Sequence, residues 1–171
     1  MSGPERQVFV YEVDAGDGKQ HLVSSVDPRW LFAEDVGLAP EAVLGALHPG
    51  ADGSYALRPD NFQQNTTFVQ FLHRLVADNI GTVAAARREA QRRGRGNLFV
   101  LDHRTPYPDG QVPPEDIIGA LPIQRGVLLP GEYYQPNPDH RLLTSNGFFL
   151  LAPELEAILQ RQTYDRCAQV R

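Results

Sequence analysis

Residues Gln7-Val8-Phe9-Val10-Tyr11-Glu12-Val13 are dense in β-branched and aromatic side chains, which suit a pleated surface and predict a strand. Asp14-Ala15-Gly16-Asp17-Gly18 follows with residues that tolerate positive φ, so Gln20 to Val26 is expected to return as the second arm of a hairpin. Asp27-Pro28 opens a helical turn carrying Trp30, Leu31 and Phe32. Pro40 to Leu47 has the form of a short helix with proline in its first turn, stopped by His48-Pro49-Gly50. A longer helix is expected to start at Asp60, where Asp60 and Gln63 make a variant capping box. Phe68, Leu72, Leu75, Val76 and Ile80 then recur as its apolar stripe. Gly81-Thr82 interrupts that stripe, and a second helix runs through Arg93 until Gly94 and Gly96 end it.

Leu98-Phe99-Val100-Leu101 is an unbroken apolar run, the pattern of a strand covered on both faces, and is placed at the centre of a sheet. Ile117 to Ile123 and Val127 to Tyr134 are expected to pair around Gln124-Arg125-Gly126. Pro122 cannot donate to a ladder and is assigned to an edge or a bulge. Asn146-Gly147 marks a further hairpin between Arg141–Thr144 and Phe148–Leu151, and Pro153 starts a final helix through Leu155, Ile158 and Leu159. The elements predict an α+β protein: a mainly antiparallel sheet packed by a long amphipathic helix and a C-terminal helix, with residues 1–171 as one domain.

Composition narrows the class. With 42% hydrophobic and 22% charged residues, the chain is neither disordered nor fibrous. Cys167 is the only cysteine, which excludes an intramolecular disulfide framework and suits a reducing compartment. The first residues carry charge without an apolar core, and no apolar run approaches the length that spans a bilayer, so a cytoplasmic protein away from membranes is expected. There is no phosphate loop, no dinucleotide fingerprint, no Gly-x-Ser-x-Gly elbow and no paired Cys or His-x-x-x-His motif. The expectation is therefore no cofactor and no metal.

Two features carry candidate chemistry. Asp102-His103-Arg104 ends the apolar strand, and the same tripeptide returns as Asp139-His140-Arg141. If the triplets converge, Arg104 and Arg141 can hold an anionic group while His140, Asp102 and Glu115 act as acid and base. The competing reading makes Asp102 and Arg104 a scaffold that pins the following loop. The small-site reading requires Arg104 and His140 to lie within about 10 Å of each other.

The second feature is charge segregation. Arg87, Arg88, Arg92, Arg93 and Arg95 against Glu89 leave a net +4 over residues 87–95, so the remainder carries −9 of the overall −5. Arg88, Arg92 and Arg95 fall at i, i+4 and i+7, the spacing of a single helical stripe that can meet an acidic protein surface. The acidic total and the lack of interleaved aromatics disfavour nucleic acid. Tyr107, Tyr133 and Tyr134 lie among eight of the fourteen prolines, and rigid tyrosine-bearing loops make good recognition surfaces. The leading expectation is a non-enzymatic interaction or adaptor domain that offers this Pro/Tyr surface and the arginine-rich helix end to a protein partner. The alternative is a small enzyme or anionic-ligand domain built on Asp102, Arg104 and His140.

Overall fold

The computed structural model of the protein describes residues 5–104 and 111–171. In chain order its elements are β1 (Phe9–Asp14), β2 (Lys19–Ser24), α1 (Pro28–Glu34), β3 (Val43–Leu47), β4 (Phe62–Gln64), α2 (Thr66–Asn79), α3 (Ala84–Arg93) and β5 (Arg95–Leu101). They continue with β6 (Ile117–Gln124), β7 (Val127–Leu128), β8 (Gln135–Pro136), β9 (Leu143–Thr144), β10 (Gly147–Phe148) and α4 (Pro153–Ala168). Every ladder among the described residues is antiparallel, so the expected α+β class holds. The chain divides into two compact units, residues 1–71, 142–148 and 160–171 in the first and residues 72–141 and 149–159 in the second.

The first unit is built on the sheet β1-β2-β3-β4 together with the β9–β10 hairpin. The β1–β2 hairpin forms as expected, with Gly16 and Gly18 at positive φ in its turn. Pro40 to Leu47 does not form a helix. Only Pro40–Ala42 turns, as a 3₁₀ segment, and Val43–Leu47 then pairs with β2 on one side and β4 on the other. Gly45 explains the preference, because any Cβ there would overlap the Phe62 ring and the Gln63 carbonyl of the neighbouring strand.

The helix expected from Asp60 also starts later. Pro59–Asn61 is a 3₁₀ turn and Phe62–Gln64 joins the sheet. Asn65 then caps α2, accepting from the Thr67 amide at 3.2 Å while its own amide group holds the Pro40 and Val43 carbonyls. The core of this unit gathers Val26, Leu31, Ala39, Ala42 and Cys167, with Tyr11, Trp30 and Tyr164 packed against it.

The second unit holds α3 against β5 and β7, and a sheet in which β6 pairs with β5, β7 and β8. Arg125 and Gly126 both have positive φ (53° and 74°), a two-residue turn within the expected Gln124-Arg125-Gly126, with Gln124 ending β6; the strand expected over Val127–Tyr134 is only Val127–Leu128, and Gly131–Tyr133 is a 3₁₀ turn. The positions of β5 and β6 reverse the expectation. β6 is the central strand, and among the described residues β5 pairs with β6 alone. Leu98 and Val100 are buried while Phe99 is 54% exposed, so the apolar run 98–101 is covered on one face only. Pro122 sits inside β6 without breaking it. It lies opposite Asn97, and its carbonyl accepts from Leu129 just past the end of β7, where the ladder no longer needs a donor. Gly81 and Thr82 interrupt the helical run as expected. Glu154 then supplies the missing cap of α3 by accepting from the Ala84 amide at 3.0 Å, and Gly94 closes the helix at φ 75°.

Candidate functional site

The two Asp-His-Arg triplets converge in the second unit. β5 leaves the sheet after Leu101, and the Asp102 amide donates to the Asp116 carbonyl at the start of β6. Asn137 sets the second triplet in place. Its side-chain amide donates to the Pro114 and Ile117 carbonyls at 2.7 and 2.8 Å, while its oxygen accepts from the Asp139 amide, an Asx turn that delivers His140. The result is a cluster of Asp102, Arg104, Asp116 and His140 whose side chains are between 0% and 2% exposed.

Asp102 is the hub. Oδ1 accepts from the Arg104 and Leu150 amides at 3.0 and 2.9 Å, and Oδ2 accepts from His140 Nε2 and Arg104 Nη2, each at 2.9 Å. These four bonds use the acceptor capacity of a carboxylate. Since a carboxylate only accepts, His140 Nε2 is the donor in this bond. Arg104 is similarly engaged. Nε lies 3.1 Å from Asp116 Oδ1, and Nη2 donates to the carbonyls of Glu115 and Arg141 at 3.3 and 2.5 Å.

Arg104 Nη2 and His140 Nε2 are 3.5 Å apart, well inside the limit that the small-site reading requires. Their burial and mutual engagement, however, leave the cluster's hydrogen-bonding groups turned toward protein. Glu115 and Arg141 enter through their carbonyls, and the Arg141 residue is otherwise exposed. Asp116, in place of the Glu115 carboxylate, completes the ion cluster. The Asn-Pro-Asp run before His140 was the local signal for that placement. Among the described residues, no group of three His, Cys, Asp or Glu side chains is placed to hold a metal ion.

The tyrosines separate. Tyr133 is 52% exposed, whereas Tyr134 is turned inward, its hydroxyl 2.8 Å from His73 Nδ1 and 3.4 Å from the Ile118 carbonyl. Burial pushes the Tyr134 hydroxyl well above its ordinary value. Burial, and then the nearby His140, lowers His73 to about 4. Both groups are therefore neutral at pH 7. Tyr107 lies outside the described residues.

Arg88 and Arg92 are exposed on α3, but Arg95 has left the helix and opens β5, so the helical stripe ends at Arg92. Arg92 pairs with Glu89 at 2.5 Å, and Arg93 Nη1 donates to the Asn97 carbonyl at 2.6 Å.

Beside this basic helix end is a feature that the sequence reading did not contain: an apolar cleft of about 210 Å³. It is bounded by Ile80 and Val83 before and at the start of α3, by Ala86 on α3, by Leu98 and Phe99 on β5, and by Leu155 on α4. Such a space between a helix and a sheet edge is invisible to periodicity, which reports faces and not gaps. Comparison with protein-family models, with curated proteins and with solved structures returns no match. Among the described residues no helix is long and apolar enough to cross a membrane.

Proposed function

We propose that the protein is a non-enzymatic interaction module that receives a protein partner on the face formed by α3 and β5. The observation that carries this reading is the apolar cleft with half-exposed Phe99 on one wall and exposed arginines at the adjoining helix end. Apolar surface rimmed by charge is the usual composition of a recognition patch. The buried cluster supports the same reading from the other side. An anion reaching for Arg104 would have to displace Asp102 and Asp116, both already in contact with the guanidinium. The cluster thus serves to pin the end of β5, the 114–116 turn and the 137–141 turn, which hold β5 in place.

The partner reading is tested by affinity capture from native lysate with wild type, a Phe99→Asp variant and an Arg88→Ala/Arg92→Ala variant, each with and without nuclease. A stoichiometric protein that survives nuclease and is lost with both variants is the expected result. Capture that ignores both variants, or no capture at all, refutes the assignment of this face. Tyr133 provides the comparison: Tyr133→Ala should leave capture unchanged if the α3–β5 face is the contact, whereas its loss would move the site to the Pro/Tyr segment.

A further inference from the structure

Among the described residues, no segment pairs with the outer edge of β5 between Asn97 and His103. Asp102 directs its amide to β6, and Pro122, which has no N–H, lies opposite Asn97, so even-numbered residues of β5 bond to β6 and odd-numbered ones face away. Two contacts confirm that parity. The Asn97 carbonyl accepts from Arg93 on the outer side, and the His103 amide donates to the Leu150 carbonyl. The register shift opposite Val100 and Leu101 falls on β6, where Ile118 is the extra residue, so β5 itself stays regular. Between Asn97 and His103, the amides and carbonyls of Phe99 and Leu101 therefore point outward, and among the described residues no chain segment pairs with them. The cleft runs beside this stretch and is lined by Leu98, Phe99, Val100 and Leu101 from the strand. The open stretch of about four residues is roughly 13 Å long.

We infer that the cleft takes an extended segment of a partner protein, alternating apolar and acidic residues, which adds as a strand to the outer edge of β5. This rests on the interaction-module reading and names the occupant and the mode of binding. Strand addition supplies partners for the open backbone groups, while alternate side chains of the incoming strand enter the apolar cleft. The acidic character follows from the rim. Arg92 and Arg93 end α3 and Arg95 begins β5; Arg92 offsets Glu89, which also lines the cleft, and Arg93 and Arg95 leave the Asn97 end of the groove net basic in a chain that is otherwise net acidic. Native edge strands are commonly protected by charge, proline or a covering loop. Here an aromatic side chain stands exposed at the middle of the edge strand.

The test uses the whole protein and a synthetic peptide alternating Val or Ile with Glu or Asp, read by fluorescence anisotropy and amide hydrogen exchange. One control peptide carries lysine for each acid. Another is N-methylated at the alternate amides that would pair with β5. The acidic peptide should bind at least about tenfold more tightly than the basic one, N-methylation should weaken it at least about tenfold, and Phe99→Asp should do the same. Exchange at the Phe99 and Leu101 amides should slow on binding.

Equal binding of the N-methylated peptide, or protection confined to other amides, overturns strand addition while leaving the module reading intact. Displacement of the peptide by an equally charged DNA duplex reduces the arginines to a polyanion site and overturns the proposal. A wild-type dimer abolished by Phe99→Asp makes the occupant a second copy of this chain. If the acidic peptide does not bind although the lysate partner is still captured through this face, the stated chemistry of the occupant is wrong. If neither is captured, the module reading itself falls.

Discussion

Asp102→Asn keeps the size of the side chain and removes its charge, and its effect can be worked out bond by bond. When Asp102 is neutralised, Arg104 keeps Asp116 as an ion-pair partner, its Nε 3.1 Å from Asp116 Oδ1. The loss must therefore come from hydrogen bonding. An asparagine oxygen can replace Oδ1 and keep the Arg104 and Leu150 amides. Its NH₂ group then faces His140 Nε2–H and Arg104 Nη2–H, donor against donor, where Asp102 Oδ2 had accepted both at 2.9 Å. Two charge-assisted bonds vanish, and the His140 Nε2–H is stranded at a site 2% exposed, while Arg104 Nη2 keeps the Glu115 and Arg141 carbonyls. At about 1–3 kcal/mol for the stranded donor and about 1.5–3 kcal/mol for a lost bond to a charged group, the variant should lose about 3–5 kcal/mol. A domain of this size has roughly 5–15 kcal/mol in total, and its melting temperature should fall by roughly 6–20 °C. Urea unfolding followed by circular dichroism measures the loss, and His140→Gln closes a double-mutant cycle with an expected coupling of about 1–3 kcal/mol. A loss below about 1 kcal/mol, the size of an exposed pair, would mean that water reaches Asp102 and would refute the scaffold assignment.

His73 should make stability depend on pH. Its folded-state value is lowered to about 4 from 6.5, so the unfolded chain takes up the proton first; the contribution is complete above pH 6.5 and is lost as pH falls towards 4. Because His73 is partly exposed, the full-shift figure shrinks to about 1–2 kcal/mol, and His73→Gln should flatten the urea midpoint across that interval. Gly119→Ala should cost about 1–3 kcal/mol, since a Cβ there meets the Tyr134 ring, and Tyr134→Leu should recover part of it in the double variant; no recovery would place the strain elsewhere. Cys167 is fully buried and burial raises its thiol above the ordinary value, so iodoacetamide should label it only in step with unfolding. Labelling of the native protein would reveal local opening at the end of α4.

Local chemistry was legible in the sequence, and neighbours were not. The stripe Phe68, Leu72, Leu75, Val76 and the turn at Arg125-Gly126 are properties of a few consecutive residues, and both appear as expected. Val43–Leu47 looked helical because proline preceded it; strands on both sides and the close approach of Phe62 to Gly45 decide otherwise. Leu98–Leu101 looked central because all four residues are apolar, yet burial alternates and the outer positions carry Phe99 into solvent. The triplets could be read as candidates from composition alone. Their convergence depended on Asn137 and on the Arg104 carbonyl contacts, which link residues far apart in the chain.

The edge position of Leu98–Leu101 bears on function. An apolar run on an edge strand leaves hydrophobic surface and backbone groups at the margin of the sheet, where a solitary fold has no use for them. Asp102, Arg104, Asp116 and His140 hold the end of that strand with dense buried bonding, and Arg93 fixes its start through the Asn97 carbonyl. Between these anchors, among the described residues, no segment pairs with the outer side of the stretch around Phe99. A preorganised edge lowers the entropic cost of adding one more strand, so under the proposed strand addition the cluster that resembled a catalytic site in the sequence would act as the support of the binding edge.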